Sequence, residues 1–125
     1  MGVGKTIQAL GLICCYPSDW PVLILAPATL KYNWLQEIGK WLGNGCAGLI
    51  SKEEVQVIKS GSDPIFLAAK FVIISYDTAG RMADDIDRRQ FRAAILDEAH
   101  YLKNADSQRS KALIPVIKKS KRVII

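Results

Sequence analysis

Short, uninterrupted apolar runs recur along the chain, at Val22 to Ala26, Phe71 to Ile74, Ala93 to Leu96 and Val123 to Ile125. A strand with water on one face alternates apolar and polar residues. A run without alternation needs cover on both faces, which is the position of a parallel strand between two layers of helix. The intervening stretches supply such helices. Ile7, Leu10, Gly11 and Cys14 share one helical face, and Leu30, Trp34 and Trp41 share another, with Thr29 positioned as an N-cap. Trp34 and Trp41 are therefore expected in the core. A third helix is predicted over Ser107 to Lys118, and Val55 and Val57 around Gln56 predict a half-exposed strand near a sheet edge.

Strands alternating with helices imply right-handed crossovers and an open α/β sheet whose ligands collect at the carboxyl ends of the strands. Loops are expected at Gly43 to Ser51, Lys59 to Pro64 and Gly80 to Arg89. Trp20, beside Pro21, has no role that the sequence assigns.

Composition narrows the class. With 125 residues, half of them apolar, the chain can build a core, and its 23% charged residues do not suit a disordered segment. No apolar run approaches the roughly 18 residues of a membrane span and the start does not read as a signal peptide, so no membrane role is expected. Cys14, Cys15 and Cys46 lack metal-ligand spacing and suggest neither a disulfide framework nor a zinc site. The net charge of +5 is concentrated late in the chain, where Lys103, Arg109, Lys111, Lys118, Lys119, Lys121 and Arg122 face only Asp106. Such a stretch suits a polyanion, but the commoner explanation is a solvated face whose lysines complement a helix dipole.

Two motifs carry chemistry. Gly2-Val3-Gly4-Lys5-Thr6, followed at once by an amphipathic pattern, is the latter part of a phosphate-binding loop, or P-loop. Its glycines let backbone N–H groups turn toward phosphate oxygens and the helix N-terminus adds its positive end. Lys5 reaches the β- and γ-phosphates of ATP, and the Thr6 hydroxyl ligates Mg²⁺. The second motif, Asp97-Glu98-Ala99-His100, directly follows the run ending at Leu96. Asp97 then stands at a strand's carboxyl end, where a Mg²⁺-ordering carboxylate belongs, and Glu98 can orient and deprotonate an attacking water. The plainer alternative is an acidic pair that caps the next helix.

In these residues the chain resembles the SWI/SNF-type branch of helicase superfamily two. MGVGKTIQAL from Met1 is similar to that family's motif I, LILAPATLKYNWLQEI from Leu23 to motif Ia, IISYD from Ile73 to motif Ib, and ILDEAHYLKN from Ile95 to motif II, a DEAH-type box. The segments between them look most like the annealing-helicase subgroup, which rewinds DNA at forks and bubbles. The resemblance implies a RecA-like P-loop NTPase lobe, an open parallel sheet with helices on both faces. It also implies ATP and Mg²⁺ as ligands and forked or duplex DNA as partner. His100 would couple ATP to the rest of the motor, and Pro27, Ala28, Thr29, Lys31, Ser75 and Tyr76 would touch the DNA backbone. Localisation would be the nucleus in a eukaryote, otherwise the cytoplasm or nucleoid.

The same resemblance implies that residues 1–125 form only part of the N-terminal lobe. The strand before the phosphate loop would precede Met1, and the second RecA-like lobe, with its arginine finger, would follow Ile125. The isolated 125-mer is then expected to fold poorly and to lack DNA-stimulated ATPase activity. Two other readings remain open: a chromatin-remodelling or repair translocase of the same family, and a non-catalytic nucleotide- or DNA-binding module.

Overall fold

Among the described residues four strands answer to the four apolar runs and a fifth to the alternating segment around Gln56, and every pairing between them is parallel. The structure, a computed structural model, describes residues 8, 9, 11, 20–42, 52–100, 102 and 108–125. The strands are β1 (Val22–Ala26), β2 (Val55–Val57), β3 (Phe71–Ser75), β4 (Ala93–Leu96) and β5 (Arg122–Ile124). They lie in the order β2-β3-β1-β4-β5. β1 sits at the centre, with Val22 opposite Phe71 on one side and Ala93 on the other.

Successive side chains of a strand point to opposite faces, so these continuous apolar runs feed two cores at once. On one face Leu23, Leu25, Val72, Ile74, Ala94 and Leu96 pack with Ala79, Met82, Ile86, Leu113 and Ile117. Those partners come from α2 (Tyr76–Arg81), α3 (Ala83–Arg89) and α4 (Gln108–Lys118), with Met82 at the junction of α2 and α3. On the other face Ile24, Ile73, Ala93 and Ile95 pack with Trp34 and Ile38 of α1 (Lys31–Leu42) and with Ala9. Helices thus cover both faces, as the lack of alternation requires. The side chain of Trp41 lies outside the described residues.

β2 is an edge strand, as expected, but its polar middle residue faces inward. The Gln56 amide donates to Pro64 O (2.6 Å) and its oxygen accepts from Phe66 N (2.9 Å), so both ends of a buried amide help hold the following loop. Within that loop Lys59 N and Ser60 N donate to the Asp63 carboxylate. These bonds to the charged form keep its pKa below the ordinary aspartate value.

β5 is the less covered edge. Its three residues are only partly buried or exposed, whereas β1, β3 and β4 are buried throughout. Among the described residues the ladder is unbroken across the five strands. Val123 and Ile125 are exposed at β5, where further cover would gain apolar burial.

Two local expectations need correction. Thr29 is not an N-cap: it lies within a 3-10 turn, Ala28–Leu30, and α1 begins only at Lys31. The predicted loop from Gly80 to Arg89 is instead the end of α2 followed by α3. Tyr76, Ala79, Met82, Ala83 and Ile86 recur at helical spacing and are buried, which outweighs the single glycine. Ser75 caps α2 by accepting from Thr78 N, and α3 carries Asp84 and Asp85 in its first turn and Arg88 and Arg89 in its last, matching the helix dipole. Trp20 packs its ring against Phe71, with centroids 5.5 Å apart, and the Lys70 ammonium stands over it.

Candidate functional site

Three strand ends bring three sequence motifs to one edge of the sheet. Pro27 follows β1, Ser75 ends β3 and leads into Tyr76, and Asp97 follows β4. Parallel strands all end on the same side, so these residues share the carboxyl edge where an open α/β sheet receives its ligands. Lys118, Lys119 and Lys121 precede β5 and therefore lie toward the opposite, amino edge. Lys118 sits in the last turn of α4 and Lys119 pairs with Asp87 at 2.9 Å, the dipole-complementing and solvated role.

Asp97 is the most constrained polar residue at this edge. It is only 4% exposed. Its backbone N–H donates to Leu25 O at 2.8 Å, extending the β1–β4 ladder by one residue. Its backbone carbonyl accepts from the Tyr76 hydroxyl at 2.7 Å. Its carboxylate Oδ2 accepts from Trp34 Nε1 at 2.9 Å. A buried carboxylate demands such partners, because an unpaired one costs several kcal/mol or more.

Glu98, one residue on, is held differently. Its φ of 55° lies in the left-handed region, which costs an L-residue other than glycine roughly 1–2 kcal/mol. Strain of this kind persists only where the surroundings enforce it, and it collects at functional sites. Glu98 Oε2 lies 3.4 Å from His100 Nδ1, close enough for an ion pair whenever the imidazole is protonated. The turn therefore presents a half-buried carboxylate and a more exposed imidazole beside a buried, fixed aspartate.

The residues expected to touch DNA divide into two groups. Ala28 and Thr29 are exposed in the 3-10 turn and Pro27 is partly so. Lys31, Ser75 and Tyr76 are buried. The Lys31 ammonium donates to Ile58 O (3.0 Å), Ser75 caps α2, and the Tyr76 hydroxyl holds Asp97. Burial, reinforced by the negative charges of Asp97 and Glu98, pushes the Tyr76 pKa well above that of an ordinary phenol, so the group remains a donor.

Gly2, Val3, Gly4, Lys5 and Thr6 lie outside the described residues. Trp34 is the functional neighbour that sequence reasoning missed. Its apolar helical face correctly predicted burial, but nothing in the pattern signals that its indole N–H meets a carboxylate 63 residues away.

A central parallel sheet with helices on both faces and an acidic pair at the end of an inner strand defines an α/β fold of the RecA-like class. The family model of the SNF2-related domain matches residues 1–125, and the chain belongs to that family. It is 35% identical over 130 residues to the DNA annealing helicase and endonuclease ZRANB3 of Homo sapiens, covering 100% of this chain and 12% of that protein. It is 38% identical over 125 residues to the SWI/SNF-related matrix-associated actin-dependent regulator of chromatin subfamily A-like protein 1 of Xenopus tropicalis, again 100% of this chain and 12% of the relative. The chain thus spans about an eighth of the length of these relatives. The Sulfolobus solfataricus SWI2/SNF2 ATPase core in complex with dsDNA shares the fold, with a TM-score of 0.77 at 23% identity over 99% of this chain and 25% of that one. No helix among the described residues is long and apolar enough to cross a membrane.

Proposed function

We propose that this chain is the ATP-gripping and hydrolysing part of the first lobe of a DNA-dependent ATPase motor, one that tracks along DNA and rewinds complementary strands at forks or bubbles. The observation that carries this reading is Asp97, a buried carboxylate fixed at the carboxyl end of an inner parallel strand with Glu98 directly beside it. The donor set suits magnesium, which is held by one or two carboxylates together with substrate phosphates rather than by an all-protein cage.

Each residue has a task in this reading. The backbone of Gly2, Val3 and Gly4 cradles the phosphates, Lys5 neutralises the β- and γ-phosphates, and Thr6 and Asp97 hold Mg²⁺, Asp97 through its water shell. When bound there, Mg²⁺ would offset the negative charge of the triphosphate. Glu98 orients the attacking water and accepts its proton as the water oxygen bonds to the γ-phosphorus and the bond to ADP breaks. His100, within reach of Glu98, relays the state of the site toward the second lobe. Ala28 and Thr29, with Pro27, offer the DNA backbone an exposed turn, and Lys31, Ser75 and Tyr76 support that surface from beneath. In a eukaryote such a motor works in the nucleus.

The test is ATP hydrolysis by the full-length gene product on forked, duplex and single-stranded DNA. DNA should stimulate turnover, and Glu98→Gln should still bind ATP while losing hydrolysis. DNA-independent turnover, or full turnover in Glu98→Gln, contradicts the reading. A second reading, a chromatin-remodelling translocase of the same family, draws support from the name of the Xenopus relative. It predicts DNA-stimulated hydrolysis without rewinding of a bubble substrate.

A further inference from the structure

We propose that Trp34 is a positioning residue for the metal-ordering carboxylate, fixing Asp97 through its indole N–H so that one carboxylate oxygen is reserved for the magnesium water shell. The inference rests on the reading of Asp97 given above and extends it to a residue on a different element.

The geometry favours this role over simple packing. Trp34 lies in the first turn of α1, is 2% exposed, and shares a core cluster with Ile24, Ile73 and Ile95. A phenylalanine or leucine could fill such space. Only an indole brings an N–H to Asp97 Oδ2 at 2.9 Å, and an indole nitrogen donates without ever accepting. The bond therefore fixes which oxygen is engaged. With the backbone of Asp97 held on both sides by Leu25 O and the Tyr76 hydroxyl, the remaining freedom is rotation of the carboxylate, and Trp34 removes it. Oδ1 is then the oxygen left to order water. Partners that orient a metal-binding group in this way typically change metal affinity or activity by about 10–100-fold when removed.

The placement also joins two motifs. α1 follows directly on the exposed 3-10 turn that holds Ala28 and Thr29, so the element carrying the proposed DNA-facing turn also carries the donor that sets Asp97.

The test uses the full-length protein with two replacements at Trp34: Trp34→Phe, and an isostere whose ring nitrogen is exchanged for sulfur, which keeps the shape and removes the N–H. With ATP and DNA saturating, the Mg²⁺ concentration giving half-maximal hydrolysis should rise about tenfold in both, with kcat at high Mg²⁺ recovering to within about twofold. Binding of ATP without Mg²⁺ should stay as in the parent. In the otherwise unaltered protein, a 5-fluorotryptophan reporter at Trp34 should change its ¹⁹F resonance on addition of Mg²⁺ with ADP but not of ADP alone. An unchanged Mg²⁺ requirement in the isostere, or a silent reporter, overturns the proposal. A purely structural Trp34 would lower the melting temperature and kcat and leave the Mg²⁺ requirement where it was. If Glu98→Gln abolishes turnover while the isostere keeps its Mg²⁺ requirement, this inference alone fails. If Glu98→Gln hydrolyses ATP normally, the reading of the whole site fails.

Discussion

Asp97 and the turn that follows it are adjacent in the chain and opposite in character. Asp97 belongs to the sheet: its N–H continues the β1–β4 ladder, and its carbonyl and carboxylate are each taken up by a buried aromatic donor. Glu98 and His100 lie nearer the surface, half-buried and exposed respectively, on a backbone strained at Glu98 and within ion-pair distance of each other. The difference suits two tasks. A group that orders a metal must not move, since small errors in position are costly, whereas a group that takes a proton and reports the outcome must be reachable.

The largest effect should come from the exposed half. Glu98→Gln keeps size and backbone but removes the base, and turnover by the full-length protein should fall about 10²–10⁴-fold in a steady-state assay with ATP binding intact. A fall of only a few fold would assign the base elsewhere. Tyr76→Phe strikes the fixed half. It deprives the buried Asp97 carbonyl of its donor, and chemical denaturation should register a loss of about 1–2 kcal/mol.

The same substitution has a pH signature. Because the folded Tyr76 phenol is held above its ordinary value, the unfolded chain releases this proton first as pH rises. Its contribution to stability is present below pH of about 10 and declines above it, and Tyr76→Phe should flatten that alkaline decline. An equally steep decline in the variant would mean that the phenol is not held by burial.

The two non-glycine residues with left-handed backbone among the described residues sharpen the contrast further. Gln90 (φ 56°) ends α3 at the surface as its C-cap, whereas Glu98 (φ 55°) is the base in the proposed reading. Gln90→Gly should raise stability by about 0.5–1 kcal/mol with hydrolysis unchanged. Glu98→Gly should relieve similar strain and abolish turnover. The smallest effect is expected at the exposed Asp77–Arg81 pair on α2, where Arg81→Ala should cost no more than about 0.5 kcal/mol by thermal melting.

Much of this architecture was legible in the sequence because burial on both faces leaves a plain trace. The runs Val22 to Ala26, Phe71 to Ile74 and Ala93 to Leu96 read as covered strands and are strands, and Asp97 after Leu96 stands at the carboxyl end that this reading implied. What was not legible depended on contacts between distant segments. The burial of Lys31 follows from a carbonyl at Ile58, and the use of Tyr76 and Trp34 follows from Asp97. Neither leaves a local pattern. The helices from Tyr76 to Arg89 were readable in principle, since their apolar spacing is helical, but Gly80 and the dense charges resemble loop chemistry when taken singly.

The central claim is that the fixed carboxylate and the amino-terminal phosphate loop act on one Mg²⁺–triphosphate unit. The most direct measurement is a crystal structure of the full-length protein with Mg²⁺ and a non-hydrolysable ATP analogue. The predicted result has Lys5 on the β- and γ-phosphates, Asp97 on the water shell of the same magnesium, and Trp34 still donating to Asp97. A triphosphate bound away from the end of β4, with Asp97 directed elsewhere, would contradict the account.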